Sequence, residues 1–388
     1  MKDLLLKNGL LFTGEEKSLD KKDILMSNGK IKEISKDICY ESPDLEVIDL
    51  KEKIVSPGII DCHTHVGIIE ETIGMIGLDD NEKSDPVTPQ VRAIDSINPL
   101  DPCFRDAVTS GITCIMVTPG SANAVGGWNL ATKTYGTIID KMVVKNPVGF
   151  KVAFGEEPIN TYGKHGKTPV TRMGIAALIR ELFMKTQDYM EEKANGNLKE
   201  RNIRLESVIP LLENKIPLRA HAHRADDIVT AIRIAEEFNI KKLIIEHGTE
   251  AHLIKEYLSE KNISIALGPV LTPRIKMELN GNHYSAATEL VKAGIKVALI
   301  TDHPFNSIDQ LRSVAALVIS EGLSEKDAFK ALTVHPAEIL ECDHIIGKLD
   351  IGFHADIVIY DDDPLRLDSK AMMTIINGKI VFKRSTFT

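Results

Sequence analysis

Two His-x-His pairs close apolar runs in this sequence, and their spacing suggests chemistry. His63 and His65 end the segment IIDCHTH, and His221 and His223 end the segment LRAHAH. Because side chains alternate across a β-strand, residues two apart point to the same side. Two convergent neutral imidazoles are a typical ligand pair for a divalent metal ion.

Two further apolar runs end in residues of the same kind. His247 ends the segment LIIEH, and Asp302 follows the segment VALIT. Imidazole and carboxylate together form the ligand set of zinc or a similar hydrolytic ion. One polar residue at one strand end needs no special explanation. Four such strand ends at the same end of one barrel predict a metal site.

The middle of the chain alternates predicted strands and helices, which is typical of an α/β TIM-type (β/α)8 barrel. Ile175, Ile179, Leu182 and Phe183 lie on one helical stripe between two of the strands. Active sites of such barrels lie at the carboxyl ends of the strands, where the histidines stand. The predicted strands are residues 58–61, 113–118, 137–144, 149–154, 218–223, 242–246, 263–267 and 296–301.

Both ends of the chain read as short strands separated by turns. An Asn-Gly hairpin signal stands at residues 377 and 378, and similar turns divide the first 57 residues. We therefore expect a small β-sandwich domain built from residues 1–57 and 349–388. Residues 58–348 are expected to form the barrel domain.

Composition narrows the class of protein. The chain has 388 residues, and its 47 Lys and Arg against 56 Asp and Glu give a formal net charge of −9. This charge argues against nucleic acid or an anionic membrane as a partner. The five scattered cysteines contain no CxxC pair, so no disulfide framework is expected. No signal segment or membrane span is recognised, so a cytoplasmic location is expected.

The order of these residues, with two longer segments, resembles the amidohydrolase superfamily of metal-dependent hydrolases. Residues 54–67, IVSPGIIDCHTHVG, look like its opening motif, and residues 333–361, TVHPAEILECDHIIGKLDIGFHADIVIYD, look like its closing motif. The resemblance covers essentially the whole chain and is nearest to the imidazolonepropionase-related amidohydrolases. It implies hydrolysis of a C–N amide bond in a small molecule, either a cyclic amide or a dipeptide-like one.

The resemblance also implies a ligand set by position: His63, His65, His221, His247 and Asp302. His221 is preferred to His223 because members of the superfamily place the ligand first in such a segment. The cofactor implied is one or two divalent ions, with zinc as the first expectation. Manganese, iron and nickel share this ligand set.

Two residues are candidates for the metal ligand at the end of the fourth strand. Lys151 resembles the lysine that is carbamylated and bridges two metals in the dihydroorotase and hydantoinase branch. Glu156 is a carboxylate that could ligate directly, as in the sugar deacetylases of the superfamily. Both alternatives stay open at this point.

The mechanism expected from this ligand set uses metal-activated water. Asp302 is expected to accept the proton of that water and to pass it to the leaving nitrogen. His223 points the same way as His221, and three roles stay open for it: contact with the metal, contact with the substrate, or hydrogen-bond donation to the carbonyl oxygen. Further candidate substrate contacts, from loops that follow the strands, are Asn123, Lys133, Tyr162 and Arg172. Glu246 is expected on the other face of its strand, paired with a helix.

Two alternative functions, deamination and an inactive scaffold, are less consistent with the sequence. Deaminase relatives rely on a glutamate three residues after the strand-five histidine, whereas Arg224 stands there in this chain. A catalytically inactive scaffold would have lost ligands that this chain keeps. Homo-oligomers are common in the superfamily, although no segment of this sequence indicates an interface.

Overall fold

The computed structural model describes residues 2–14 and 19–387, which form two large sheets. Within these residues the strands are β1 (Leu4–Leu11), β2 (Asp20–Ser27), β3 (Lys30–Ser35), β4 (Glu46–Asp49), β5 (Ile54–Pro57), β6 (Ile59–Thr64), β7 (Ile112–Val117), β8 (Val125–Lys133), β9 (Val143–Ala153), β10 (Leu218–Ala222), β11 (Leu243–His247), β12 (Ser264–Leu267), β13 (Val297–Leu299), β14 (Ile357–Tyr360), β15 (Ala371–Ile376) and β16 (Lys379–Lys383).

The α-helices of the same residues lie mainly after β9 and between the later strands. They are α1 (Pro102–Thr109), α2 (Glu156–Tyr162), α3 (Arg172–Ala194), α4 (Ile203–Glu206), α5 (Ile209–Leu212), α6 (Ala225–Glu237), α7 (Lys255–Glu260), α8 (Ala286–Lys292), α9 (Leu311–Ser320), α10 (Glu325–Leu332) and α11 (Val334–Ile339). No helix in the described part of the chain is both long enough and apolar enough to cross a lipid bilayer. The predicted stripe of Ile175, Ile179, Leu182 and Phe183 is the buried face of α3.

The first sheet contains strands from both ends of the chain. Its order is β16-β15-β14-β5-β1-β2-β3, and β4 pairs with β1 in parallel. Strand β5 connects the two ends, because it pairs with β1 on one side and with β14 on the other. Alternate residues such as Leu4, Leu6, Ile357 and Ile359 share one apolar cluster. The two-domain division and the sandwich arrangement remain predictions.

The second sheet is a nearly closed, eight-stranded α/β barrel of the TIM-like kind. Strands β6 to β13 follow one another in chain order around it. The first and last strands approach each other where His65 N donates to His303 O at 2.9 Å. Next to this contact, Asp302 N donates to His63 O at 3.2 Å. The carboxyl ends of the parallel strands therefore meet at one end of the barrel.

Strand β8 differs from the predicted arrangement. It runs antiparallel to both β7 and β9, and among the described residues no α-helix lies between it and either of these strands. The predicted strand at residues 137–144 is wrong, because a short 3-10 turn (Ile139–Lys141) lies there. Residues 125–129, which lie between the predicted strands at 113–118 and 137–144, form the first part of β8. Gly127 is needed in the strand, since its φ is +95° and a Cβ there would lie 2.1 Å from Val91 O.

A buried ion pair connects the barrel to the terminal sheet. The Nζ atom of Lys133, at the end of β8, contacts Asp356 Oδ2, and the two side chains are 3% and 6% exposed. Asp356 also accepts a hydrogen bond from Asn377 N at 3.0 Å and, through its carbonyl, one from Gly58 N at 2.9 Å. This pair is therefore a link between strands that are distant in sequence.

We expect Lys133→Met to lower the free energy of unfolding by about 3–5 kcal/mol, because Asp356 would stay buried without a cation. Denaturant titration measures this change. Lys21→Met is the control, since Lys21 and Glu52 form an exposed pair at 3.0 Å, which contributes at most about 1 kcal/mol. Equal effects of the two substitutions would contradict the assignment.

Candidate metal centre

Five side chains that were predicted to bind metal meet at the carboxyl end of the barrel. They come from the ends of β6, β10, β11 and β13, and all are buried. Asp302 Oδ1 lies 3.2 Å from His63 Nε2 and 3.3 Å from His65 Nε2. Asp302 Oδ2 lies 3.8 Å from His247 Nδ1. The ring centroids of His221 and His247 are 4.4 Å apart.

Two of these residues have unusual backbone conformations. His247 has a φ of 73° and Asp302 a φ of 54°. Few residues other than glycine adopt positive φ, and such strain is concentrated at functional sites. Both residues stand at the point where a strand ends and a loop begins.

Backbone carbonyls fix the protonation of two imidazoles. His65 Nδ1 donates to Thr118 O at 2.7 Å, and His247 Nδ1 donates to Gly268 O at 2.8 Å. A carbonyl can only accept, so each ring carries its proton on Nδ1. When these rings are neutral, their Nε2 atoms present lone pairs, as metal-ligating histidines do.

A carboxylate plays the same part for His63. Glu246 Oε2 lies 2.5 Å from His63 Nδ1, and Glu246 Oε1 accepts from Arg219 Nε at 2.5 Å. Arg219 Nη2 also donates to Cys62 O at 2.9 Å. Burial favours a raised pKa for Glu246, but the charges of Arg219 and His63 outweigh it and hold the pKa below its usual range. The expected pairing of Glu246 with a helix is therefore wrong, because its carboxylate contacts β6 and β10.

The donor set fits a divalent metal ion. His63 Nε2, His221 Nε2 and Asp302 Oδ1 are buried and have no hydrogen-bond partner among the described residues. Leaving such atoms unpaired is costly, so buried, unpaired atoms that converge are suited to bind a ligand together. Ligand atoms of His63, His247 and Asp302 lie within 4.8 Å of one another, as do those of His221, His223 and His247.

The charge states of these groups suit a cation. Burial lowers the pKa of His247 to about 3, although Asp302 opposes the shift. Burial and the neighbouring charges of His247 and Lys276 also hold the pKa of His221 well below its usual value. Burial favours a raised pKa for Asp302, but His247 and His63 outweigh it and keep the carboxylate ionised. Neutral imidazoles and an ionised carboxylate are the forms that bind metal.

The two strand-four candidates occupy different places. Lys151 is 1% exposed and lines the cavity above the histidines. Burial lowers its pKa to about 8, and no carboxylate of the described chain lies within 4.0 Å of its Nζ. Glu156 lies at the start of α2, where its backbone N–H donates to Glu278. Its neighbour Glu157, not Glu156, is among the residues that line the cavity.

Four predicted substrate contacts lie elsewhere, and each difference has a physical reason. Tyr162 OH donates to Asn123 Oδ1 at 2.6 Å, and Asn123 Nδ2 donates to Thr88 Oγ1 at 2.8 Å, so both residues hold the segment before β7. Arg172 Nε donates to Asp227 Oδ2 at 3.1 Å. Lys133 belongs to the buried pair with Asp356. In the described structure Asn123, Lys133, Tyr162 and Arg172 do not line the cavity.

The cavity above the histidines has a volume of about 290 Å³. Of the predicted substrate contacts, His223 does line it, and its Nδ1 lies 2.7 Å from Thr249 Oγ1. The walls contain residues that sequence reasoning missed, among them Asp80, Asn81, Lys83, Glu157, Lys276 and Phe305. These residues lie on segments that follow β6, β9, β12 and β13, and this position was the only sequence feature that could have suggested that they line the cavity. Their residue types do not indicate such a role.

The chain is similar to known amidohydrolases in sequence and in structure. The model of the "Amidohydrolase family" matches residues 199–382. An amidohydrolase structure from Thermotoga maritima MSB8 is 42% identical, with a TM-score of 0.94, over 98% of this chain and 100% of that one.

Two relatives match nearly the whole of this chain. The amidohydrolase tasK of Hapsidospora irregularis is 26% identical over 98% of this chain, which spans only 43% of that protein. The imidazolonepropionase of Fusobacterium nucleatum is 25% identical over 98% of this chain and 99% of its own length.

The barrel and the strand-end cluster define a class of α/β-barrel proteins with a buried imidazole–carboxylate site. Within that class, this chain belongs to the amidohydrolase superfamily. The resemblance inferred from the opening and closing motifs is thereby confirmed.

We expect Glu246→Gln to weaken the affinity for a divalent metal by about 10- to 100-fold, because the ring of His63 loses its charged partner. Competition with a chelator measures this affinity. Asp227→Asn is the control, since it also removes a buried carboxylate charge from an arginine pair, at 3.1 Å from Arg172. Unchanged metal affinity in Glu246→Gln, or equal losses in both folded variants, would contradict the assignment.

Proposed function

We propose that the chain is a divalent-metal-dependent hydrolase that cleaves the C–N amide bond of a small molecule. The substrate is a cyclic amide or a dipeptide-like compound, and the enzyme belongs with the imidazolonepropionase-related amidohydrolases. The observation that carries the proposal is the convergence of buried, unpaired atoms of His63, His221 and Asp302 at one strand-end cavity. Hydrolases of this kind need such a donor set for their ion.

The residues proposed to hold the ion are His63, His65, His221, His247 and Asp302, with zinc as the first expectation. Lys151 is favoured over Glu156 as the strand-four ligand, because Lys151 is buried and faces the cavity. Carbamylation requires a neutral amine, which burial makes accessible near neutral pH. A carbamylated Lys151 would complete a site for two ions.

The proposed mechanism assigns separate tasks to Asp302 and His223. When bound, the ion lowers the pKa of water from 15.7 to about 7 and polarises the carbonyl group. Asp302 accepts the proton of the attacking water and returns it to the leaving nitrogen. His223 is the histidine suited to donate, since Thr249 Oγ1 at 2.7 Å can give its proton to His223 Nδ1. The proton on Nε2 then faces the oxygen that becomes negative.

Deamination is the less favoured reaction. The position of the glutamate on which deaminase relatives rely is Arg224, whose Nη2 pairs with Asp226 at 2.9 Å and whose side chain is 42% exposed. An exposed cation cannot take over the proton transfers of a carboxylate in the cavity. This arrangement supports hydrolysis of an amide.

We also propose that residues 1–57 and 349–388 form one composite β-sandwich domain beside the barrel of residues 58–348. The sheet that contains β1–β5 and β14–β16 supports this division. The buried contact of Lys133 with Asp356 then lies between the two domains.

Metal removal tests the proposed function. Protein expressed with zinc should hold one or two ions per chain and hydrolyse members of a panel of cyclic amides and dipeptides. A chelator should abolish turnover, and zinc or manganese should restore it. Labelled bicarbonate followed by carbon NMR should show a carbamate when two ions are bound. Absence of bound metal together with absence of hydrolysis would favour the inactive scaffold instead.

We expect Asp302→Asn to fold, to keep metal at the histidines and to lose about 100- to 10,000-fold in turnover, because the proton acceptor is gone. Metal analysis and steady-state kinetics measure the two effects. Asp309→Asn removes an exposed acid of the following loop and should leave turnover unchanged. Near-normal turnover in Asp302→Asn would refute the proton role.

A further inference from the structure

We propose that the cavity selects substrates that carry a cationic group, which the carboxylate of Asp80 binds. The inference rests on the proposed hydrolase function and narrows its substrate class. The cation is an ammonium or guanidinium group, located either at the amino end of the substrate or on a side chain. Asp80 would then determine specificity, while the imidazole cluster provides the chemistry.

Asp80 is held in place on the cavity wall by the loop that follows β7. Gly120 N donates to Asp80 O at 2.7 Å, and Ala122 N donates to Asn81 Oδ1 at 2.9 Å. The Nδ2 of Asn81 contacts Asp80 Oδ2. A Cβ on Gly120 would lie 2.5 Å from Asp80 Oδ2, so only glycine lets the carboxylate pack here. The side chain is therefore positioned rather than free to turn into solvent.

Three lysines line the cavity besides Asp80: Lys83, Lys151 and Lys276. Lys151 is 1% exposed and lies at the metal cluster, where the proposed carbamylation would replace its positive charge with a negative one. Lys276 Nζ lies 3.3 Å from Glu157 Oε1 and 3.5 Å from Glu278 Oε2, so two carboxylates neutralise it. Lys83 is exposed, and solvent screens its charge. Asp80 lines the cavity and has no cation within 4.0 Å among the described residues. The unmatched charge that the wall offers to a ligand is therefore negative.

A carboxylate in this position gives directional recognition. One oxygen is occupied by the Asn81 amide, which leaves the other to accept a charge-assisted hydrogen bond from a ligand. Such bonds are about twice as strong as neutral ones, and partial burial limits their screening. Asp80 is not part of either group of metal-binding atoms found in the described chain. Its role is therefore separable from that of the metal ligands.

Asp80→Asn tests the inference, because it removes the charge and keeps the shape. The probes are two matched pairs: a dipeptide with a free amino terminus against its N-acetyl form, and a lysine-containing dipeptide against its norleucine analogue. The wild-type protein should prefer the charged member of one pair by about 10- to 100-fold in kcat/KM. In Asp80→Asn this ratio should fall toward one, mainly through KM. The pair that responds identifies where the cation lies.

Glu82→Gln is the matched control, since Glu82 is an exposed acid two residues away that does not line the cavity in the described structure. Its preference ratio should equal that of the wild-type protein. Preference that survives in Asp80→Asn, or no preference in either pair, would overturn the inference.

Calorimetric binding of the same probes separates this inference from the proposed function. Charge-selective binding that Asp80→Asn abolishes, without hydrolysis, would support the inference and contradict the hydrolase proposal. Hydrolysis without charge selectivity would support the hydrolase proposal and contradict the inference about Asp80. Metal content should be the same in Asp80→Asn and the wild-type protein, because Asp80 is not a ligand.

Discussion

Three hydrogen-bond acceptors, each with a lone pair, face one another at the carboxyl end of the barrel, and the rest of the site depends on this arrangement. His63 Nε2 and His65 Nε2 lie 3.2 and 3.3 Å from the same oxygen of Asp302. Despite this distance, His63 Nε2 and Asp302 Oδ1 form no hydrogen bond with any described residue. The Nδ1 atoms of the two rings already face Glu246 and Thr118 O. Buried lone pairs at such distances repel one another, and a cation between them removes the conflict.

The interior of the barrel is arranged to maintain this contact. Arg219 is fully buried and holds Glu246 against the ring of His63. Gly149 on the neighbouring strand makes room for it, because a Cβ there would lie 2.4 Å from Arg219 Cδ. An arginine–carboxylate–imidazole series thus runs from β10 through β11 to β6. Its members fix the orientation of a ligand without touching a substrate, which is the usual task of groups behind a metal site.

The strand-end ligands were predictable because a sequence shows both the residue types and the two-residue alternation of side chains along a strand. Asp302 and the four histidines needed only a barrel to bring them together. Contacts between distant segments were not predictable in this way. Lys133 was read as a substrate contact because its partner Asp356 lies 223 residues further on. The place of Gly127 in a strand was not predictable either, because only the approach of Val91 O shows why the strand needs glycine there. Asp80 carried no signal at all before the fold placed it on the cavity wall.

The proposed metal ion lies among the facing acceptors of His63, His65 and Asp302. Diffraction data collected on both sides of the zinc absorption edge, from crystals of the zinc-loaded protein, would show whether the ion binds there. We expect an anomalous peak in contact with His63, His65 and Asp302, and a second peak beside His221 if Lys151 is carbamylated. An anomalous map without a peak among these residues, from crystals of fully folded protein in excess zinc, would contradict the proposal.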